Sequence, residues 1–154
     1  MKLFLVQHAK AASKEIDPDR PLTEEGLRDI QKIAEFIKSL NLSVDYLWHS
    51  GKTRTRQTAE VLAEIIKVKG EVAAHDGLAP NDDIKAIRDQ IISAQNDIMI
   101  VGHMPFVAKL ASLLLTGSEF SGTIAFKQGG IVCLNYSDES KWQVEWMITP
   151  AFFF

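Results

Sequence analysis

Two uninterrupted apolar segments of the chain each end abruptly on polar residues. The first covers residues 3–6 and stops at Gln7-His8, and the second covers residues 98–101 and stops at Gly102-His103. A short apolar run without polar alternation is typical of a strand buried on both faces, as in a parallel sheet. The pattern therefore predicts two central strands whose polar followers leave the carboxyl edge of the sheet, where open α/β folds bind ligands.

The segment after the first strand has helical spacing of its apolar positions. Apolar residues recur every three or four positions from Leu27 to Leu40, and Thr23, followed by two glutamates, is a favourable N-cap. We therefore expect a helix from Thr23 to about Leu40. Gly26 in its first turn is unfavourable by about 1 kcal/mol relative to alanine. A close approach of backbone or ligand would explain this glycine.

The remaining elements follow from the same patterns and from turn residues. In chain order we expect a strand over 44–49, a helix from about Thr53 to Lys67, an edge strand over 71–74, a helix capped by Asp82 or Asp83, a strand over 97–101, a helix over 106–115, and strands over 130–136 and 142–148. Strands that alternate with helices imply βαβ units. The prediction is an α/β three-layer sandwich with a mainly parallel central sheet and helices on both faces, in a single domain spanning 1–154.

Composition restricts the classes of function. The 154 residues are 46% hydrophobic and 24% charged, which is typical of a globular domain. A net charge of −3 argues against broad binding to nucleic acid. The single cysteine, Cys133, rules out an internal disulfide and fits a reducing compartment. Because the first apolar run is too short for a signal peptide or a membrane span, we expect a cytoplasmic protein without a membrane partner.

Three segments bring polar and cationic groups to the predicted sheet edge. His8 and His103 follow the two central strands, and a third strand leads through Ser50 into a helix that starts with Arg54 and Arg56. A helix N-terminus has unpaired N–H groups and a positive dipole end, so it favours an anion. The pattern indicates a site for phosphate or another oxyanion.

Each of these side chains also has a purely structural interpretation. A lone histidine after a strand is more often a structural hydrogen-bonding residue than a nucleophile, and an arginine in a first helical turn is usually a solvated charge. We interpret His49 and His75 as structural or exposed. No carboxylate or third histidine has a convincing metal-binding spacing with His8 and His103, so we expect neither a metal nor a cofactor.

Four motifs in the same order resemble those of the histidine phosphatase superfamily, specifically its small SixA-like phosphohistidine phosphatase branch. They are LVQHAKA, RPLTEEG, SGKTRTRQTAE and VGHMPFV, and the closing pattern W-x-V-x-W-x-I-x-P over 142–150 is similar to the same branch. The resemblance spans nearly the whole chain. It implies that His8 is the nucleophile that takes the phosphoryl group, and that Arg54 and His103 line the phosphate pocket.

The resemblance also implies that Arg20 contacts phosphate, whereas Gln7 departs from the pattern. The branch has Arg-His-Ala where this chain has Gln7-His8-Ala9. Losing one charge-assisted contact costs roughly 1–3 kcal/mol of phosphate stabilisation. That loss corresponds to a reaction about ten- to hundredfold slower, unless Arg20 or Lys10 compensates.

The implied activity is hydrolysis of phosphohistidine on a protein or peptide through a phospho-His8 intermediate. Relatives that act on phosphate esters usually place a glutamate after the third strand, where this chain has only Asp76, Asp82 and Asp83. Because imidazole departs readily without a strong acid, this difference favours a phosphoramidate substrate.

Three alternatives to phosphohistidine hydrolysis remain open. The first is a non-catalytic phosphate- or phosphoprotein-binding module disabled by Gln7. The second is a small-molecule phosphomonoesterase that uses Asp76 or a neighbour as its acid. The third is an interaction domain whose histidines are structural and whose terminal Phe152–Phe154 bind a partner or a second copy, although these residues equally well tuck against the domain.

Overall fold

The computed structural model describes residues 1–153 of the chain. Its elements are β1 (Lys2–Gln7), α1 (Glu24–Ile37), β2 (Ser43–Val44), β3 (Tyr46–His49), α2 (Thr53–Ala63), β4 (Lys67–Val68), β5 (Val72–Ala74), α3 (Ile84–Ala94), β6 (Ile98–Gly102), α4 (Phe106–Thr116), β7 (Ile131–Tyr136) and β8 (Trp142–Ile148), with 3-10 turns at Lys38–Leu40 and Pro150–Phe152. In this part of the chain, no helix has both the length and the apolar character needed to cross a membrane.

A six-stranded sheet with the order β5-β3-β6-β1-β7-β8 forms the middle layer. The first four strands in this order are parallel, and β7 runs antiparallel to both β1 and β8. Alternate residues of β1 enter different cores: Phe4 and Val6 pack in the core that includes α1 and α2, and Leu3 and Leu5 pack in the core that includes α3 and α4. The predicted α/β sandwich with a mainly parallel sheet is confirmed.

The start of α1 is held against the loop that follows β1. The Thr23 hydroxyl accepts a hydrogen bond from the Gly26 N–H at 3.0 Å, as expected for an N-cap. A Cβ on Gly26 would lie 2.1 Å from the carbonyl oxygen of Lys10. Close approach of this backbone therefore accounts for the glycine, and it seats the loop after His8 directly on α1.

Several predicted element ends were wrong. The helix α2 ends at Ala63 rather than Lys67, because Lys67–Val68 pairs in parallel with the distant Ser43–Val44. The α-helical part of α1 ends at Ile37 and continues only as a 3-10 turn. The predicted strand over 44–49 is interrupted at Asp45, whose carboxylate accepts the backbone N–H of Asp97 at 2.9 Å.

The chain end packs partly against α1. The Phe153 ring lies beside the Phe36 ring with centroids 5.4 Å apart, while the Phe152 side chain is 69% exposed. Phe154, the last residue of the expected aromatic patch, lies outside the described residues. Of the two interpretations of this segment, tucking against the domain therefore applies to Phe153.

Candidate phosphate site

Three neighbouring parallel strands deliver the candidate residues to one edge of the sheet. Gln7 at the end of β1 pairs with Gly102 of β6, and His49 at the end of β3 pairs with Val101. His8 and His103 therefore leave the sheet side by side, and their ring centroids are 5.3 Å apart with an interplanar angle of 61°. Both side chains are buried, with exposures of 7% and 2%. Rings this close can contact a single phosphate.

The His8 ring is held in the tautomer that a nucleophile requires. Its Nδ1 lies 2.7 Å from the carbonyl oxygen of Ala9, and because a carbonyl only accepts, Nδ1 carries the proton. The neutral ring then has its lone pair on Nε2. Burial, and to a smaller extent the charges of Arg54 and Arg20, lower the pKa of His8 below 6.5 against the opposing effect of the Ala9 hydrogen bond. His8 is therefore neutral at pH 7.

His103 is also neutral in the free site. Burial, followed by the positive charge of Arg54 and smaller contributions from His8, Lys52 and Arg20, lowers the pKa of His103 to about 3. Its Nε2 lies 2.6 Å from the Ser50 hydroxyl oxygen. Its Nδ1 is buried and has no hydrogen-bond partner among residues 1–153.

Arg54 lies in the first turn of α2, where an anion is favoured. The side chain is half-buried, and its buried Nε has no hydrogen-bond partner within the described chain. Burial, and then the charge of Arg20, lower the pKa of Arg54. Lys52 occupies the N-cap position without a capping side-chain hydrogen bond, so the helix N-terminus adds its positive dipole end to these two guanidinium groups.

Unpartnered buried polar atoms are concentrated around the histidines. Within residues 1–153 there are four such atoms in side chains: Gln7 Oε1, Arg54 Nε, His103 Nδ1 and Ser43 Oγ. The first three belong to predicted site residues. Because buried polar groups are nearly always hydrogen-bonded, this clustering indicates a place for a polar ligand.

Arg20 contributes to the site from the loop between β1 and α1. Its backbone is left-handed, with φ of 48°, and its Nε donates to the carbonyl oxygen of Ala12 at 3.0 Å. Its charge is one of the causes that lower the pKa values of His8, Arg54 and His103. The loop thus places Arg20 within electrostatic reach of every predicted catalytic side chain.

Two residues of α2 form hydrogen bonds to the loop between β1 and α1, at Ala9 and at Leu22. The sequence analysis did not assign them this role. The Thr58 hydroxyl accepts the Ala9 N–H at 3.1 Å and donates to the Arg54 carbonyl at 2.8 Å. The Gln57 side-chain oxygen accepts the Leu22 N–H at 2.8 Å, which holds the loop carrying Arg20. A signal was available in the sequence, because polar Thr58 lies on the same helix face as the apolar residues Ala59 and Leu62, and all three are buried.

Other polar residues expected near the edge have different partners. Arg56 is exposed and donates to Glu60 at 3.0 Å, so only Arg54 of the two helix-start arginines faces the site. Lys10 binds Glu25 at 2.6 Å on α1, which leaves it paired rather than available to replace the charge missing at Gln7.

The two other histidines and the aspartates have largely structural contacts. His49 is buried and its Nδ1 accepts the Gly51 N–H at 3.1 Å, and the half-buried His75 stacks on Trp48 with ring centroids 4.0 Å apart. Asp83 caps α3 through the Lys85 N–H, and Asp82 accepts the Ala79 N–H. No group of three or more His, Cys, Asp or Glu side chains in residues 1–153 is placed to hold a metal ion.

Comparison with known proteins gives matches that agree with this geometry. The model of the histidine phosphatase superfamily (branch 1) matches residues 3–79, half of the chain. Phosphohistidine phosphatase SixA of Escherichia coli (strain K12) is 21% identical over 156 positions, covering 98% of this chain and 95% of its own.

Two solved structures share the fold over almost the full length. The protein histidine phosphatase SixA in complex with tungstate has a TM-score of 0.86 at 20% identity and covers 99% of both chains. A phosphoserine phosphatase variant from Entamoeba histolytica in complex with phosphoserine has a TM-score of 0.71 at 16% identity and covers 97% of both chains. Tungstate is an oxyanion analogue of phosphate.

The family match covers the strand that leads to His8, the loop of Arg20 and the whole helix that carries Arg54. The sequence matches and the shared fold extend over the remainder, including the strand that leads to His103. The chain therefore belongs to the histidine phosphatase superfamily, where it is SixA-like, and this membership indicates a phosphatase hydrolase.

Proposed function

We propose that this protein hydrolyses phosphohistidine carried by a protein or peptide, through a covalent phospho-His8 intermediate. The observation that carries the proposal is a neutral His8 with its lone pair on Nε2, near the buried Arg54 Nε and His103 Nδ1, which have no hydrogen-bond partner among residues 1–153. A buried polar group without a partner costs about 1–3 kcal/mol. A bound phosphoryl group would give these atoms partners while presenting phosphorus to the nucleophile.

In the proposed first step, Nε2 of His8 forms a bond to phosphorus as the bond to the substrate nitrogen breaks. The leaving imidazole departs neutral when its other ring nitrogen carries a proton. Arg54, Arg20 and the N-terminus of α2 stabilise the phosphoryl oxygens, which is the main demand of phosphoryl transfer. In the second step, water attacks phosphorus, releases His8 and yields inorganic phosphate.

The environment of the aspartates supports a phosphoramidate as the substrate. Asp83 accepts the Lys85 N–H at the start of α3, and Asp82 accepts the Ala79 N–H in the preceding loop, so each already has a structural role. Asp76 is exposed. An alcohol leaving group needs a strong general acid, whereas a protonated imidazole does not, so phosphohistidine suits this set of side chains. A phosphorylated protein partner and a cytoplasmic location belong to the same proposal.

The test is turnover of a phosphohistidine peptide beside a panel of sugar phosphates, combined with trapping of acid-labile phosphate on the protein. We expect faster release from the peptide, and a label that is present in wild type and absent in His8→Ala. Arg56→Ala is a matched control, because Arg56 is an α2 arginine that pairs with Glu60 away from the site. A stoichiometric label that survives in His8→Ala would end the nucleophile assignment.

A phosphomonoesterase is the second candidate function, favoured by the shared fold of the phosphoserine phosphatase structure. In that case Asp76, which is exposed and follows β5 at the same sheet edge, would protonate the leaving oxygen. Higher activity on phosphoserine or a sugar phosphate than on phosphohistidine, lost in Asp76→Asn, would establish this alternative.

A further inference from the structure

The Ser50 side chain joins the candidate pocket to the start of α2. Its hydroxyl oxygen lies 2.6 Å from His103 Nε2 and 2.9 Å from the Thr55 hydroxyl oxygen, and it accepts the Lys52 N–H at 3.4 Å. The Thr55 hydroxyl in turn donates to the Lys52 carbonyl at 2.8 Å. The Thr55 side chain is fully buried and the His103 side chain nearly so, which limits competition from solvent in this chain of contacts.

The direction of each hydrogen bond in this series follows from its last acceptor, the Lys52 carbonyl. A carbonyl only accepts, so the single hydroxyl proton of Thr55 goes to Lys52. Thr55 then accepts from Ser50, which uses the only proton that the Ser50 hydroxyl has. The Ser50 oxygen is left as an acceptor toward His103, and Nε2 of that ring must supply the proton.

We propose that Ser50, ordered by Thr55, is a positioning residue that fixes His103 as the Nε2–H tautomer and leaves Nδ1 as the ring's hydrogen-bond acceptor. This inference rests on the proposed function only for its catalytic consequence. The Nδ1 atom of His103 has no hydrogen-bond partner among residues 1–153. It can therefore accept a hydrogen bond from a monoprotonated phosphoryl oxygen while Nε2–H stays on Ser50.

The assignment makes the two histidines complementary. His8 carries its proton on Nδ1, bonded to Ala9, and presents Nε2 as the nucleophile. His103 carries its proton on Nε2, bonded to Ser50, and presents Nδ1. Two neutral rings with opposite proton placement thus lie 5.3 Å apart, each fixed by one bond to its own side of the pocket.

The test is a measurement of the ring-nitrogen ¹⁵N chemical shifts of His103 in the ligand-free protein, with His103→Gln used for assignment. In wild type we expect a protonated Nε2 and an unprotonated Nδ1. In Thr55→Val the Ser50 hydroxyl is free to donate, so the Nδ1–H tautomer should become populated. Thr55→Ser retains the hydroxyl and should keep the wild-type pattern. A protonated Nδ1 in wild type, or an unchanged tautomer in Thr55→Val, overturns the inference.

The catalytic consequence is measured separately with Ser50→Ala. Loss of one neutral hydrogen bond should lower kcat on a phosphohistidine peptide about tenfold with little change in KM. The variant Ser50→Thr keeps the hydroxyl and should keep a kcat close to that of wild type. An unchanged kcat in Ser50→Ala would refute the catalytic role. If wild type releases no phosphate at all, the proposed function fails, yet the ring-nitrogen measurement still decides the role of Ser50.

Discussion

Replacement of Gly26 by alanine tests whether the contact between α1 and the loop after His8 organises the site. The added Cβ would lie 2.1 Å from the Lys10 carbonyl oxygen and 2.9 Å from the Lys10 backbone nitrogen and carbonyl carbon. All of these are backbone atoms, so no flexible side chain can yield. The loop has to move away from α1, and it carries the Ala9 carbonyl that fixes the His8 tautomer.

The expected magnitude combines two opposing effects. Overpacking of this kind costs about 1–3 kcal/mol, whereas alanine gains about 1 kcal/mol over glycine in a helix interior. Because the clash is with backbone atoms, the overpacking cost lies at the upper end of its range, and we expect a net destabilisation of about 2 kcal/mol, which lowers the Tm by roughly 4–8 °C for a chain of this size. Phosphatase activity should fall by more than the unfolded fraction accounts for, because the displaced loop holds the proposed nucleophile His8.

The measurement is thermal unfolding together with turnover on a phosphohistidine peptide. Gln31→Ala is a suitable control, since Gln31 is exposed on the same helix and its replacement should leave both quantities nearly unchanged. A Gly26→Ala protein with a Tm equal to or above that of wild type, and with full activity, would refute the reasoning.

Four further predictions concern the charges of the site. Arg54→Lys removes the planar fork and should lower kcat/KM about hundredfold, and a loss under threefold would contradict the role of Arg54. Gln7→Arg adds a guanidinium and should strengthen vanadate binding about tenfold or more, measured by competition; activity that appears only in this variant would instead favour a non-catalytic binding module. Since the pKa of His8 lies below 6.5, kcat/KM should hold as pH falls through 6.5 and decline only below it, and a midpoint at or above 6.5 would exclude His8 as the titrating nucleophile. The pKa of His103 is lowered to about 3 in the folded protein, so the unfolded chain binds more protons between pH 6.5 and 3. The free energy of unfolding, measured by denaturant titration, should therefore decrease as the pH is lowered from 6.5 to 3.

The fold could be predicted from the sequence because local patterns of apolar residues encode its central strands. The apolar runs before His8 and His103 have no alternation, and both became strands with nearly complete burial. Thr23 followed by acidic residues marked the start of α1 correctly. These features depend on residues within one helical turn or one strand, so the spacing of apolar and polar residues is enough to predict them.

The contacts that assemble the site depend on residues far apart in sequence. The bond from Ala9 to Thr58 spans 49 residues, and the bond from His103 to Ser50 spans 53. No periodic pattern encodes such a pairing, so the residue types were visible while their partners were not. The same limitation explains the wrong end of α2, where Lys67–Val68 pairs with a strand more than twenty residues upstream.

The hydrogen bonds from α2 to the loop between β1 and α1 determine where insertions in this helix are tolerated. Arg54, Gln57 and Thr58 lie within about one turn, and each serves a different part of the pocket. Inserting a single residue between Thr53 and Arg54 would rotate the three side chains that follow by about 100°. Arg54 and the two loop-binding residues would then lose their positions together, whereas an insertion after Ala63 leaves all three in place.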